Sequence, residues 1–368
     1  MHLYVHVPFC ARRCSYCDFA IAVRREVPSA SFAELIAREW TGWQSHPGWN
    51  DAPALDTIYF GGGTPSRLDP AAIGALLTRF SGDRVLSPGA EITLEANPDD
   101  ITAERAAAWR AAGVNRISLG AQSFDPGVLQ WMHRTHDREQ IGTAVGTLRS
   151  VGFEDISLDL SYAVPLALRR DWAAVLDRAL ALQPTHLSFY GLTVEPVPPL
   201  GKWTARGEAV ALDDERAATE FLMANARLVS AGFEHYEVSS AALPGHRARH
   251  NSAYWRRAPF IGLGPSAHSG FAEARRWNVR NWEEYRRRAL AGQCVVAEEE
   301  VLDHEQIGLE DLYLGLRTSD GLPVDGVPGA AVRRWTEAGW ARLAGSRVVL
   351  TPEGWLRLDA LVASLSRC

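Results

Sequence analysis

The chain has 368 residues, of which 46% are hydrophobic, with a formal net charge of −6 and five cysteines, enough for one large domain plus a smaller one around a sizeable core. That charge gives no global attraction for nucleic acid or an anionic membrane, and the basic runs Arg12-Arg13, Arg24-Arg25 and Arg286-Arg287-Arg288 are short enough to read as solvated surface. No apolar run approaches the ~18 residues that span a bilayer, and the opening Leu3-Tyr-Val-His-Val-Pro8 has neither a basic leader nor a cleavable apolar stretch, so a cytoplasmic protein is expected.

Directly after this first strand-like run come three cysteines, Cys10-Ala-Arg-Arg-Cys14-Ser-Tyr-Cys17, while the remainder of the chain holds only Cys294 and Cys368. In a reducing compartment such a cluster favours a metal or catalytic role over disulfides. Cys-x3-Cys-x2-Cys can hold three irons of a 4Fe–4S cube and leave the fourth open to a small molecule. Structural zinc is the alternative, and it would want a fourth ligand such as His2 or His6.

Five further β-rich runs follow: Thr57-Ile-Tyr-Phe, Glu91-Ile-Thr-Leu, Arg116-Ile-Ser-Leu, Asp155-Ile-Ser-Leu-Asp-Leu and His186-Leu-Ser-Phe-Tyr. Between and after them lie helical patterns over Ser31 to Trp43, Asp69 to Phe80, Thr102 to Ala112, Asp125 to Val151, Arg170 to Leu182 and Asp213 to Ala231. Thr102 and Asp213 are placed as N-caps, and Gly113 and Gly232 as C-terminal stops. Alternating β and α units predict an α/β fold on a parallel sheet, either doubly wound or rolled into a barrel. In both, active sites sit in the loops at the C-terminal ends of the strands, where the cysteines lie.

The second strand ends in Phe60-Gly61-Gly62-Gly63-Thr64-Pro65, a run that lets backbone approach a ligand closely but is as often a tight turn. The same edge carries Glu95 with Asn97-Pro98, then Gln122-Ser123 and Asp159. One buried polar residue at a strand end is readily satisfied by a local N–H. Four at successive strand ends predict a shared, ligand-lined cavity.

After Glu237 the alternation stops, so residues 1–237 are expected to form the barrel and 238–368 a C-terminal unit. That unit begins with a loop-rich aromatic and basic segment from Gly245 to Asn281. From Glu300 it reads as helix, helix, hairpin and helix, with Gly345-Ser346 at the hairpin turn, which suggests a winged-helix-like appendix. The acidic lead-in Glu298-Glu299-Glu300 gives no hint of DNA binding. Thirteen tryptophans, scattered without a period, are expected in the core or between helices.

Taken together, Cys10-x3-Cys14-x2-Cys17 with Tyr16, Gly61-Gly62-Gly63-Thr64-Pro65, Glu95-Ala-Asn-Pro98 and Gly120-Ala-Gln-Ser-Phe124 resemble the radical S-adenosylmethionine (SAM) superfamily, and within it the oxygen-independent coproporphyrinogen III oxidase group. The resemblance implies an incomplete (β/α)6 TIM-type barrel, a 4Fe–4S cluster on the three cysteines, and adenosylmethionine chelating the open iron. Carried over residue by residue, the adenosylmethionine contacts are Tyr4, Tyr16, Gly62, Gly63, Thr64, Glu95, Gln122, Arg134 and Asp159. Their charges match those of the ligand, with Glu95 or a backbone carbonyl for the ammonium, Arg134 for the carboxylate and Asp159 for the ribose hydroxyls.

The residues after the third cysteine divide the group. The oxidases place a further cysteine two residues after the third, whereas here Cys17 is followed by Asp18-Phe19, which resembles the heme chaperone branch, HemW. His250-Asn251-Ser-Ala-Tyr254-Trp255 is similar to that branch's His-Asn-x-x-Tyr-Trp motif and implies heme binding, with His250 the candidate iron ligand and a packed loop histidine the alternative. Ala163-Val164-Pro165 departs from the Gly-Leu-Pro common among relatives and is expected to alter the cavity wall. The resemblance also implies an electron donor such as flavodoxin or ferredoxin, and a heme-accepting respiratory protein. A chaperone without oxidase activity is therefore expected. The alternatives are radical decarboxylation of coproporphyrinogen III and a radical enzyme with an unrelated substrate.

Overall fold

Strands β1 (His2–Val7), β2 (Ala54–Gly62), β3 (Val85–Ala96), β4 (Arg116–Gln122), β5 (Asp155–Tyr162) and β6 (His186–Gly191) lie side by side in chain order, every neighbouring pair parallel. The computed structural model describes residues 1–46, 54–193, 199–206, 213–271 and 273–365, so Cys368 lies outside the described residues. Each of the six β-rich runs read from the sequence is a strand.

The helices between them are amphipathic and capped as their sequences dictate. Helix α1 (Ser29–Trp43) buries Phe32, Leu35, Ile36, Trp40 and Trp43, one stripe at helical spacing. Asp69 caps α2 (Pro70–Asp83), whose first residue is proline, and Thr102 caps α3 (Ala103–Ala112), which Gly113 ends in the left-handed conformation. The helical stretch expected over Asp125 to Val151 is two helices, α4 (Pro126–Trp131) and α5 (Arg138–Ser150). Two local events break it: His133 takes a positive φ of 57°, and Asp137 with Gln140 forms a complete capping box that starts α5 afresh. The break matters for function because it turns Arg134 toward the strand ends. Helices α6 (Trp172–Ala181), α7 (Pro199–Ala205) and α8 (Asp214–Ser230) complete this half.

The sheet continues beyond Glu237 at both edges. A hairpin of β7 (Glu234–Glu237) and β8 (Ser240–Ala242) extends it past β6, and after α9 (Arg249–Trp255) strand β9 (Phe260–Leu263) joins β1 in parallel. Strands β10 (His268–Phe271), β11 (Ala274–Asn278) and β12 (Val296–Val301) follow as an antiparallel meander, with α10 (Trp282–Leu290) between the last two. Among the described residues the twelve strands form one open sheet with β12 and β7 at its edges. The segment read as loop-rich thus contains a helix and three strands. Their shortness and glycine content hid the period-2 signal.

The last unit has the expected order: α11 (His304–Leu316), a short strand β13 (Leu322–Pro323), α12 (Gly329–Glu337), hairpin β14 (Ala341–Ala344) and β15 (Arg347–Leu350), then α13 (Pro352–Trp355) and α14 (Leu358–Leu365). It shares a core with the main sheet. Trp355 donates its indole N–H to the Leu316 carbonyl at 3.1 Å and packs edge-on against His235 of β7, ring centroids 4.6 Å apart. No helix among the described residues is long and apolar enough to cross a membrane.

Candidate functional site

The cysteine loop leaves the C-terminal end of β1 and returns on itself. Phe9–Cys10 pairs in parallel with Ala22–Val23, while Ala22 N–H donates to the Pro8 carbonyl at 2.7 Å and Arg24 N–H to that of Cys10 at 3.0 Å. Its far side is tied to the end of α4, where Ser15 donates its N–H to the Met132 carbonyl at 3.3 Å and its hydroxyl to that of Trp131 at 3.0 Å. Asp18 is held by Arg280, which lies 3.4 Å from its carboxylate and also donates to its carbonyl.

Cys10 is 8% exposed, and burial pushes its thiol up to about 11, although the Thr64 hydroxyl at 3.4 Å eases the charged form. Burial raises Cys17 as well. Neither histidine proposed as a fourth zinc ligand is available: His6 Nε2 donates to the Ala20 carbonyl at 2.9 Å while Nδ1 faces the Tyr4 hydroxyl at 3.1 Å, and His2 pairs with Thr57 at the opposite end of the strand. Among the described residues no three Cys, His, Asp or Glu side chains converge on one ion position. Ligands to separate corners of a cluster need not converge.

The glycine run closes the top of β2 over this loop. Gly62 has φ 111°, and a Cβ there would lie 2.6 Å from the His6 ring; at Gly63 it would meet the Pro8 carbonyl carbon and oxygen at 2.8 Å. Only glycine lets β2 press so closely against residues 6–8. The run is therefore a packing device first, and it sets the Gly62 N–H 3.0 Å from a Glu95 oxygen.

Strand-end acids and amides complete the wall. Glu95 also accepts from the Tyr59 hydroxyl at 2.8 Å, and burial raises its carboxyl to about 7. Asp159 accepts from the Ser118 hydroxyl at 3.0 Å, and burial raises it too, against the pull of the surrounding hydroxyls. Gln122, at a positive φ of 63°, accepts from the Ser161 hydroxyl at 2.9 Å. Arg134 donates to Asn97 at 2.6 Å and the Gly120 carbonyl at 2.9 Å, and reaches Cys14 Sγ at 3.6 Å.

One cavity of ≈ 420 Å³ gathers these groups. Its wall includes Cys10, Cys14 and Cys17, together with Tyr16, Gly62, Gly63, Thr64, Glu95, Gln122, Arg134 and Asp159. Tyr4 is not on that wall; it sits beside Gly61 and stacks on Tyr59 with centroids 6.1 Å apart. Sequence reasoning missed Tyr59, Arg116, Ser118, Ser188 and Tyr190, which also line it, as does Asn251 of the His-Asn-x-x-Tyr-Trp motif. Alternation along β4, from Arg116 through Ser118 and Gly120 to Gln122, carried the signal for two of them.

His250, the residue that the resemblance implies as heme ligand, lies inside the fold next to this cavity. The residue is 1% exposed, with Nδ1 2.6 Å from the Thr57 hydroxyl and Nε2 2.7 Å from that of Tyr254. It stacks on Tyr59, ring centroids 5.0 Å apart, as a core histidine that fastens α9 to the barrel interior.

The cavity fits the group the sequence implies. Three thiols on one side, the Glu95 carboxyl for an ammonium, the Arg134 guanidinium for a carboxylate and Asp159 for a diol match a cluster carrying an amino acid with a ribose. Arg134 Nε is buried without a partner, and a Cβ at Gly120 would come within 3.1 Å of its Nη2, so the guanidinium occupies a shaped slot.

The profile of the Radical SAM superfamily matches residues 4–179. Over nearly all of its length the chain is similar to heme chaperone HemW of Mycobacterium tuberculosis, 36% identical across 99% of this chain and 94% of that protein. It is 31% identical to HemW of Bacillus subtilis, covering 96% of each. Its fold is that of the Escherichia coli coproporphyrinogen III oxidase HemN, a radical SAM enzyme, with a TM-score of 0.82 and 20% identity over 99% of this chain and 89% of that one. A radical SAM fold whose third cysteine is followed by Asp18-Phe19, with relatives of this identity along nearly the whole chain, places the protein in the HemW family of the radical SAM superfamily.

Proposed function

We propose that the protein is a heme chaperone: it holds a 4Fe–4S cluster on Cys10, Cys14 and Cys17 and adenosylmethionine in the cavity, binds heme, and passes it to a respiratory protein in the cytoplasm or at its membrane. The full-length likeness to HemW proteins carries this reading. Asp18-Phe19 supports it over the oxidase, since the phenyl ring of Phe19, on the cavity wall, stands where the oxidases have a further thiol. A donor such as flavodoxin or ferredoxin would supply the cluster's electron.

When bound, the cluster and adenosylmethionine supply reductive cleavage of a carbon–sulfur bond, chemistry that belongs to the cofactor. The chain positions and shields. Thr64 donates to Cys10 and Arg134 faces Cys14, placing positive and donor character beside sulfurs that must give up their protons. Glu95, held by Tyr59 and the Gly62 N–H, has its remaining lone pairs for an ammonium.

Anaerobic reconstitution followed by heme titration and gel filtration tests the proposal. A heme band that travels with the protein supports it, and heme lost on the column sinks it. Loss of the heme band in a folded His250→Ala variant would assign His250 to the iron, whereas a band that persists while stability falls would assign it to packing.

A further inference from the structure

Arg116 opens β4 and lies on the cavity wall, two residues before Ser118 and on the same face, hence about 7 Å deeper in the barrel. It is 2% exposed, its Nε is buried without a partner, and among the described residues no hydrogen bond or ion pair reaches its guanidinium. The acids nearby are already engaged. Glu91 accepts from the N–H groups of Arg249 and His250 at 2.8 and 2.9 Å, Asp155 from the Thr185 hydroxyl at 2.7 Å, and Asp159 from Ser118. Burial alone would weaken Arg116 as a base, but the fields of Glu91 and Asp155 more than offset this and keep it cationic.

A buried guanidinium carries five N–H donors in a planar fork, and each left unmade costs about 1–3 kcal/mol. The matching acceptor is a carboxylate, which takes two parallel bonds in one plane. A phosphate fits less well, because its second charge would face Asp159 and Glu95 across the same cavity. Glu91, whose field acts on Arg116, holds the start of α9 by the N–H groups of Arg249 and His250, and the next residue, Asn251, also lines the cavity.

We propose that the floor of the cavity is a carboxylate subsite, with Arg116 as its fork and Asn251 beside it, where the acid group of a second ligand sits beneath adenosylmethionine. Adenosylmethionine above it rests on the function proposed in the preceding section. The carboxylate belongs either to a free small acid or to a propionate arm of heme, and the chemistry recognised is the same.

Calorimetry on the reconstituted protein saturated with adenosylmethionine tests this, with sodium propionate and its uncharged isostere propionamide as probes. Propionate is expected to bind saturably and roughly tenfold or more tightly than propionamide, with the preference abolished in Arg116→Met. Heme compared with heme dimethyl ester then identifies the source. Discrimination lost in Arg116→Met puts a propionate arm at the floor, whereas equal binding of the two hemes with propionate selectivity intact makes a free acid the ligand. Equal binding within both pairs by the unsubstituted protein overturns the subsite, whether or not the variant folds. Propionate selectivity without retention of either heme upholds the subsite and overturns the chaperone function instead.

Discussion

Glu95 is the site residue whose charge is most sensitive to pH near neutrality. Its carboxyl is raised from 4.5 to about 7 by burial, so the folded protein binds that proton more tightly than the unfolded chain does. Its contribution therefore favours the fold below pH 4.5, fades as pH rises to about 7, and is constant above. The stability of the protein relative to Glu95→Gln, from denaturant midpoints at each pH, is expected to fall across this range; the comparison cancels the buried histidines, lowered to about 4, whose contribution rises with pH. Adenosylmethionine has the opposite dependence, because its ammonium needs the carboxylate: affinity is expected to drop below pH 7 and to lose that dependence in Glu95→Gln. Gly63→Ala acts by shape. Its Cβ would press on the Pro8 backbone from 2.8 Å, so a loss of about 1–3 kcal/mol in urea and poorer cluster loading are expected.

At the level of elements, the loop after β5 shows how the wall is kept in place. Ala163 stands at φ 57° with its N–H donated to Glu220 of α8 at 2.6 Å, and Glu220 also pairs with Arg170, whose side chain is fully buried. Arg170 and Arg216 donate in turn to the carbonyls of Ser161 and Val164, both at 3.1 Å. Glu220→Ala is expected to cost about 3–5 kcal/mol, read by urea unfolding, because it strands two guanidinium groups. The strands were legible because each is a short run holding β-branched or aromatic residues, and the cysteine triad because thiols at that spacing have few other uses. At His250 the spacing alone does not decide between roles, because His-x3-Tyr on a helix places Tyr254 one turn from the imidazole and so also makes an intrahelical hydrogen bond. Arg116 escaped notice as a strand's first residue, where exposure is the usual outcome.

Across the whole molecule, one sheet joins residues from both sides of Glu237, and the last helices share its core through Trp355 and Trp335. Trp355→Ala, which removes the packing on His235 and Leu316, is expected to cost about 3–5 kcal/mol and to lower a single unfolding transition rather than split it. This architecture leaves the chemistry at one end of the parallel strands, and the fold alone is shared with an oxidase. The proposed function would part from the oxidase's locally, at Asp18-Phe19 after the third cysteine. The most direct test is to give the anaerobically reconstituted protein coproporphyrinogen III, adenosylmethionine and reductant, and to measure porphyrin products beside heme retention on gel filtration. The account predicts retained heme and no propionate decarboxylation; release of carbon dioxide with formation of protoporphyrinogen IX, and no heme retained, would contradict it.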